Sequence, residues 1–224
     1  MKIYLIPGQG ADYRLFGKLS LAPSFEIRYI HFELPEKGLS MAEYAQQLAS
    51  QVDKSEPFIL VGVSIGGMIA TEMNDLLNPI KTIVVSSAKS KNELPKLYTI
   101  QRRFFLYKII PGWISKLGAQ FLQPIFEPVR NTEKEVFKQM LKDKDPRFLK
   151  RTIDMIVNWD RTSYDSSIIS IHGDNDNTIP IRNVDVDQIV ENGSHLMIFT
   201  KATELSRILN GILTASFEHI VQEK

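Results

Sequence analysis

The sequence predicts an α/β protein, a mostly parallel six-stranded sheet flanked by helices, with an inserted all-helical cap. Apolar runs rich in β-branched residues recur at 2–6, 26–32, 57–63, 80–86, 167–171 and 185–190. Most are apolar throughout rather than alternating, which marks strands buried on both faces of a parallel sheet. Helical patterns lie between the early runs, and none of the strand type appears across residues 89–161.

Taken in order, residues 2–6 (Lys-Ile-Tyr-Leu-Ile) enter the first strand almost at once. Residues 40–54 carry the clearest helix: Ser40 and Glu43 have the spacing of a capping box, and Met41, Tyr44, Ala45, Leu48 and Val52 fall on one face. A second helical pattern, from Met68 to Met73, follows the third strand. After the fourth strand come helical candidates near 95–110, 112–122, 132–142 and 146–160. They are punctuated by Pro111-Gly112, Pro124, Pro128 and Pro146, and Thr132 and Glu135 offer a second capping box. A structureless loop of that length does not belong in a compact domain, and the spacing of Phe104, Phe105, Leu106, Ile109 and Ile110 fits packed helices. The expected division is a core of residues 1–88 and 162–224 with a helical cap, or lid, at 89–161. Trp159-Asp160-Arg161 closes the cap, as an anchor or as a substrate contact.

A chain of 224 residues buries a substantial core without disulfides or metals. It has no cysteine, which removes thiolate nucleophiles, thiolate zinc sites and disulfide frameworks. That composition fits a reducing cytoplasm. The N-terminus has no long apolar leader, and no run approaches the roughly 20 apolar residues of a membrane span, so a soluble, unexported protein is expected. Formal net charge is +1, without the signature of a nucleic-acid partner. Charge is nevertheless divided: residues 89–163 hold 16 Lys and Arg against 8 Asp and Glu, and the remainder 11 against 18. Cationic side chains coating the cap and aiding its docking account for this, as does a cap that attracts anionic substrates. Phe104, Phe105, Trp113, Phe121 and Phe126 would roof an apolar pocket or pack the cap onto the core. No phosphate-binding or dinucleotide loop is present, so neither a cofactor nor a metal is expected.

The chemistry centres on Gly62-Val63-Ser64-Ile65-Gly66, where an apolar strand gives way to a helix. A serine on a sharp strand-to-helix turn needs small residues two places either side, because the flanking backbones approach closely. The turn also aims the N–H of Ile65 at the place where an oxyanion would form. The loop after the first strand, Pro7-Gly8-Gln9-Gly10, would supply a second donor, the N–H of Gln9 or, as the alternative, that of Gly10.

A serine hydroxyl needs a base in contact, and that base an orienting group. Of four histidines, His195 lies in a glycine-containing loop after the sixth strand, where functional groups of open α/β sheets gather. His172, in His172-Gly173-Asp174-Asn175-Asp176 after the fifth strand, is its rival, with an imidazole that can instead serve as a structural donor. His31 and His219 read as ordinary surface or core residues. The acid belongs to the loop after the fifth strand, where Asp174 and Asp176 both qualify and either could simply shape an Asx turn.

Together these motifs resemble the α/β-hydrolase superfamily over nearly the whole chain. In that family's pattern of His-Gly-x-x-Asp with a proline four residues on, the aspartate matching Asp176 is the triad acid. The resemblance implies catalytic Ser64, Asp176 and His195, with Asp174 the alternative acid, and a helical cap inserted after the fourth strand. Two departures stand out. Pro7-Gly8 replaces the common His-Gly ahead of the oxyanion residue, and the first strand matches the third of the family's full sheet. The implied activity is hydrolysis of a small-molecule, ester-like bond through an acyl-enzyme, without cofactor.

Overall fold

The computed structural model describes residues 1–96, 98 and 131–222, with the side chains of 131–134 and 217–222 left aside. The predicted helices near 95–110 and 112–122, and the aromatic residues 104–126, lie outside the described residues apart from the start of the first.

Six strands form one wholly parallel sheet: β1 (Lys2–Ile6), β2 (Glu26–Tyr29), β3 (Phe58–Val63), β4 (Lys81–Val85), β5 (Ile169–Gly173) and β6 (Gln188–Val190), in the order β2-β1-β3-β4-β5-β6. The helices are α1 (Met41–Ala49), α2 (Ile65–Leu77), α3 (Asn131–Asp143), α4 (Pro146–Asn158), α5 (Met197–Thr200) and α6 (Ala202–Gln222). The chain leaves β1 toward one edge to form β2 and returns past it to form β3. The β1/β3 pair is thus the point where strand order reverses, and ligands of open α/β sheets bind in the crevice outside the strand ends there. Register aligns those ends: Ile6 pairs with Gly62, Val63 with Val85, Val85 with Ile171 and Gly173 with Val190.

Alternation along each strand divides the core into two layers. Ile3 and Leu5 point to the side where Ile59, Val61, Ile83, Val85 and Ile171 meet Leu205, Leu209 and Leu213 of α6. Tyr4 and Ile6 point to the other, against Leu60, α1 (Met41, Tyr44, Leu48) and α2 (Ile65, Met68, Ile69, Met73). The capping box at the start of α1 forms as predicted: Ser40 Oγ accepts from the Glu43 N–H, and the Glu43 carboxylate accepts from the Ser40 N–H at 2.8 Å. At α3 the expectation differs. Thr132 already lies inside the helix, Asn131–Asp143, rather than at its cap.

Three strand boundaries also shift. β2 stops at Tyr29 after Ile30 makes a last bond to Leu5, and β6 starts at Gln188. β5 runs from Ile169 to Gly173 because an Asp165 turn, which accepts from the N–H groups of Ser167 and Ile168, occupies the predicted start. His172 and Gly173 therefore belong to the strand and not to the bend after it.

Helices α3 and α4 are seated on the rest of the chain. Asp145 caps α4 with Pro146 as its first residue, a position where the missing proline N–H costs nothing. Met140 joins the α6-side core, Met155, Ile156 and Trp159 join the other, and Leu141, Phe148 and Leu149 gather with Phe32 and Phe137. Trp159 Nε1 donates to Glu72 of α2 at 2.7 Å, and Arg161 reaches Glu72 at 3.1 Å and Asp75 at 2.6 Å. Of the two roles open to this segment, the contacts are those of an anchor. Trp159→Ala removes a side chain only 3% exposed and leaves Glu72 short of a donor. It is expected to lower stability by about 3–5 kcal/mol, and Trp159→Phe by clearly less, as read by urea unfolding.

Candidate active site

Ser64 stands between β3 and α2 with φ 55° and ψ −124°, a left-handed conformation that strains any residue but glycine. The surroundings hold it there. Its N–H continues the sheet by donating to Val85 at 3.0 Å, and its carbonyl accepts from Gly67 at 2.8 Å, Met68 at 3.2 Å and Ser87 Oγ at 2.6 Å. The flanking glycines are required by contact. A Cβ on Gly62 would fall on the Gly66 carbonyl, and one on Gly66 would fall on the carbonyls of Ile6 and Pro7.

The three residues singled out in the sequence meet in space. His195 Nε2 lies 2.9 Å from Ser64 Oγ, and His195 Nδ1 lies 2.8 Å from Asp176 Oδ2. Asp176 accepts only through its carboxylate, so Nδ1 carries the proton and Nε2 is left to accept from the serine hydroxyl. His195 is positioned by the turn after β6, where the N–H of Gly193 returns to Val190, and Asp176 by the turn after β5, where its own N–H donates to Gly173. Asp174 is exposed, whereas Asp176 is 4% exposed.

Four donors converge on the Asp176 carboxylate. Oδ1 accepts the N–H groups of Thr178 and Ile179, both at 2.8 Å, and Oδ2 accepts from His195 and, at 3.3 Å, faces His172 Nε2. Burial alone would raise the acid's pKa. The charge of His195 and the hydrogen bonds from His172, His195 and Ile179 outweigh burial and hold it well below the usual carboxylate range.

On the other side of Ser64 lies the loop after β1. A Cβ on Gly8 would sit 3.4 Å from Ser64 Cβ, so this loop adjoins the serine directly. Among the described residues the N–H groups of Gln9 and Ile65 have no hydrogen-bond acceptor, the second because it opens α2. The Gln9 side chain turns away and donates to the Leu149 carbonyl at 3.1 Å and to Thr152 Oγ1 at 2.8 Å, both in α4. Among the described residues no His, Asp and Glu side chains converge as a metal-ligand set, and no helix is long and apolar enough to cross a membrane.

His172 is placed away from the serine: it is fully buried, with Nε2 also 2.8 Å from the Ile179 carbonyl. His31 is exposed, and the His219 side chain lies outside the described residues.

No protein-family model and no curated protein sequence matches the chain. Solved structures do match over almost its whole length. An esterase from Thermogutta terrifontis, with malate bound, superposes with a TM-score of 0.71 at 15% identity, covering 96% of this chain and 90% of that one. An esterase from Exiguobacterium antarcticum gives 0.71 at 14% identity, covering 96% and 92%. A bromoperoxidase from Bacillus anthracis gives 0.67 at 16%, covering 95% and 91%. All three are α/β-hydrolases. The chain has the α/β-hydrolase fold.

Within this α/β-hydrolase fold, three features of the site were not read from the sequence. Ser87 supports the Ser64 carbonyl, Gln9 ties its loop to α4, and His172 Nε2 lies 3.3 Å from the acid's Oδ2. Only Gly67 hints at the first, since any larger residue there would collide with Ser87.

Because Asp176 has a lower pKa folded than unfolded, its contribution to stability is fully present above the unfolded value, near 3.8, and is lost as pH falls from there toward the folded value. Urea unfolding is therefore expected to show wild type losing stability over that acidic range. Asp176→Asn should be less stable at neutral pH, by about 1–3 kcal/mol, with the gap closing as the solution is acidified.

Proposed function

We propose that the chain is a serine hydrolase that cleaves an ester-like bond of a small molecule through an acyl-enzyme. The observation that carries this reading is the unbroken hydrogen-bonded chain from Ser64 through His195 to Asp176, set on a strained turn beside two N–H groups with no acceptor among the described residues. The esterases that share the fold support it.

In this mechanism Ser64 Oγ attacks the carbonyl carbon while His195 Nε2 takes the hydroxyl proton, and Asp176 stabilises the resulting imidazolium. The carbonyl oxygen, now an oxyanion, is held by the N–H groups of Gln9 and Ile65. His195 returns the proton to the departing alcohol, leaving Ser64 acylated. Water, activated by His195 in turn, releases the acid and restores the serine. Strain at Ser64 is compatible with this cycle because the backbone is held on both sides by the sheet and by α2, so the hydroxyl presents one direction throughout.

Residues 89–161 act as a cap over the site in this reading. The apolar group of Leu141, Phe148, Leu149, Phe137 and Phe32 lies against the Gly10 end of the oxyanion loop, where it would line the side of an acyl or alcohol pocket. The excess of cations at 89–163 favours substrates that carry a carboxylate or other negative charge.

Other acyl chemistry on the same residues, such as thioester hydrolysis, transfer to a non-water acceptor or carbon–carbon cleavage, is separated from ester hydrolysis by turnover, as is a ligand-binding role without catalysis. A fluorophosphonate probe is expected to label the wild-type protein and not Ser64→Ala. p-Nitrophenyl acyl esters should be hydrolysed with kcat/KM reduced at least about 10³-fold in Ser64→Ala and His195→Ala. A folded protein that resists labelling overturns the nucleophile, and turnover of acyl thioesters with inert oxygen esters overturns the ester assignment. Anionic esters should react faster than matched neutral ones, with the advantage shrinking as salt rises.

A further inference from the structure

We propose that His172 is a positioning residue of this site: a neutral imidazole that donates its Nε2–H to Asp176 Oδ2 and so fixes the carboxylate and moderates its hold on the His195 cation. The inference rests on the reading of Ser64, His195 and Asp176 as the reacting set.

The proton can be placed from the acceptors. His172 Nε2 faces the Ile179 carbonyl at 2.8 Å and Asp176 Oδ2 at 3.3 Å, and neither oxygen has a hydrogen to give. Nε2 therefore carries the hydrogen and shares it between them. Nδ1 is buried and has no partner among the described residues. A second proton there would create a buried, charged donor with nothing to accept it, which is the costly case for any polar group removed from water. The ring, 0% exposed and held in β5, thus stays neutral and cannot reorient to act as a base.

What it does instead follows from the oxygen it touches. Oδ2 is the same atom that takes the His195 Nδ1–H at 2.8 Å, while Oδ1 is occupied by two backbone N–H groups of the turn. Every donor on Asp176 disperses the negative charge that His195 experiences. Among the described residues the ionisable groups that face Asp176 are His172 from β5, His195 from the turn after β6, and Tyr98, whose phenol is pushed up by burial and then by the Asp176 charge. Of these, His172 donates without changing its own charge. It tunes the acid as a fixed dipole.

Removing that donor concentrates the carboxylate's charge on His195 and favours its protonated form. The sign is therefore definite: the acidic limb of kcat/KM, where His195 must lose its proton to act as base, moves to higher pH. For His172→Leu the expected shift is about 0.5–1 pH unit, together with a fall in plateau kcat of about 10-fold and little change in KM. His172→Gln, whose amide can donate from nearly the same place, should bring the limb back to within about 0.3 unit of wild type. A purely structural role would lower activity or melting temperature in both variants without moving the limb. A folded His172→Leu protein with an unmoved limb overturns the proposal.

Nitrogen NMR of the imidazoles tests it without turnover and without a variant. In the wild-type protein the His172 ring is expected to carry its proton on Nε2, with Nδ1 bare. A His172 that carries its proton on Nδ1 overturns the proposal even if His172→Leu does not fold. Failure of fluorophosphonate labelling would count against the nucleophile alone, since the tautomer of His172 is read independently of it.

Discussion

The close approach of three backbone segments around Ser64 is the constraint on which the rest depends. Gly62, Gly66 and the carbonyls of Ile6 and Pro7 crowd together so tightly that side chains are excluded at both glycines. That crowding drives the serine into a left-handed conformation, and the strain is of the order of 1–3 kcal/mol that only a well-packed surrounding can offset. The offset comes from Val85 of β4, which accepts the Ser64 N–H, from Ser87 two residues beyond it, which donates to the Ser64 carbonyl, and from the first turn of α2. Loss of any one of these would let the turn relax and the hydroxyl swing away from His195.

Strand register transmits this local order across the sheet. Because Ile6, Val63, Val85, Gly173 and Val190 end in nearly one row, the loops that follow them open onto a common edge. Residues far apart in the chain then meet without long side chains having to reach. The hydrogen bond from Ser64 to His195 spans 131 positions of sequence, and that from His195 to Asp176 spans 19. The electrostatics are equally local. The acid is buried, yet four donors keep it ionised, so its charge is available to the histidine rather than to solvent.

Much of this was legible in the sequence because the features involved are governed by short-range sterics. The glycine spacing around Ser64 follows from backbone contact, the capping box at Ser40 from orphan N–H groups, and the apolar runs of β1, β3, β4 and β5 from two-faced burial, while the edge strands β2 and β6 stay largely open. Where reading failed, the deciding interaction was long-range. β5 was shifted by two residues because the Asp165 turn consumes the predicted start, and that moved His172 from a bend into the strand, where it became a buried donor. Nothing in a lone His-Gly dipeptide reveals that its imidazole will meet the carboxylate four residues later.

Packing runs continuously between α3 and α4 and the rest of the chain. Met140 shares an apolar layer with Ile3, and Met155 and Trp159 share one with Tyr4, so α3 and α4 complete the core as well as covering its edge. Gln9 makes the connection functional in kind. Its loop meets Ser64 at Gly8 and its side chain is bound to Leu149 and Thr152 of α4, so that the position of one proposed oxyanion donor depends on that helix. A change in the packing of α4 would therefore reach the reacting carbonyl through a single residue. In the proposed mechanism the packing of residues 146–158 therefore bears on the chemical step through Gln9.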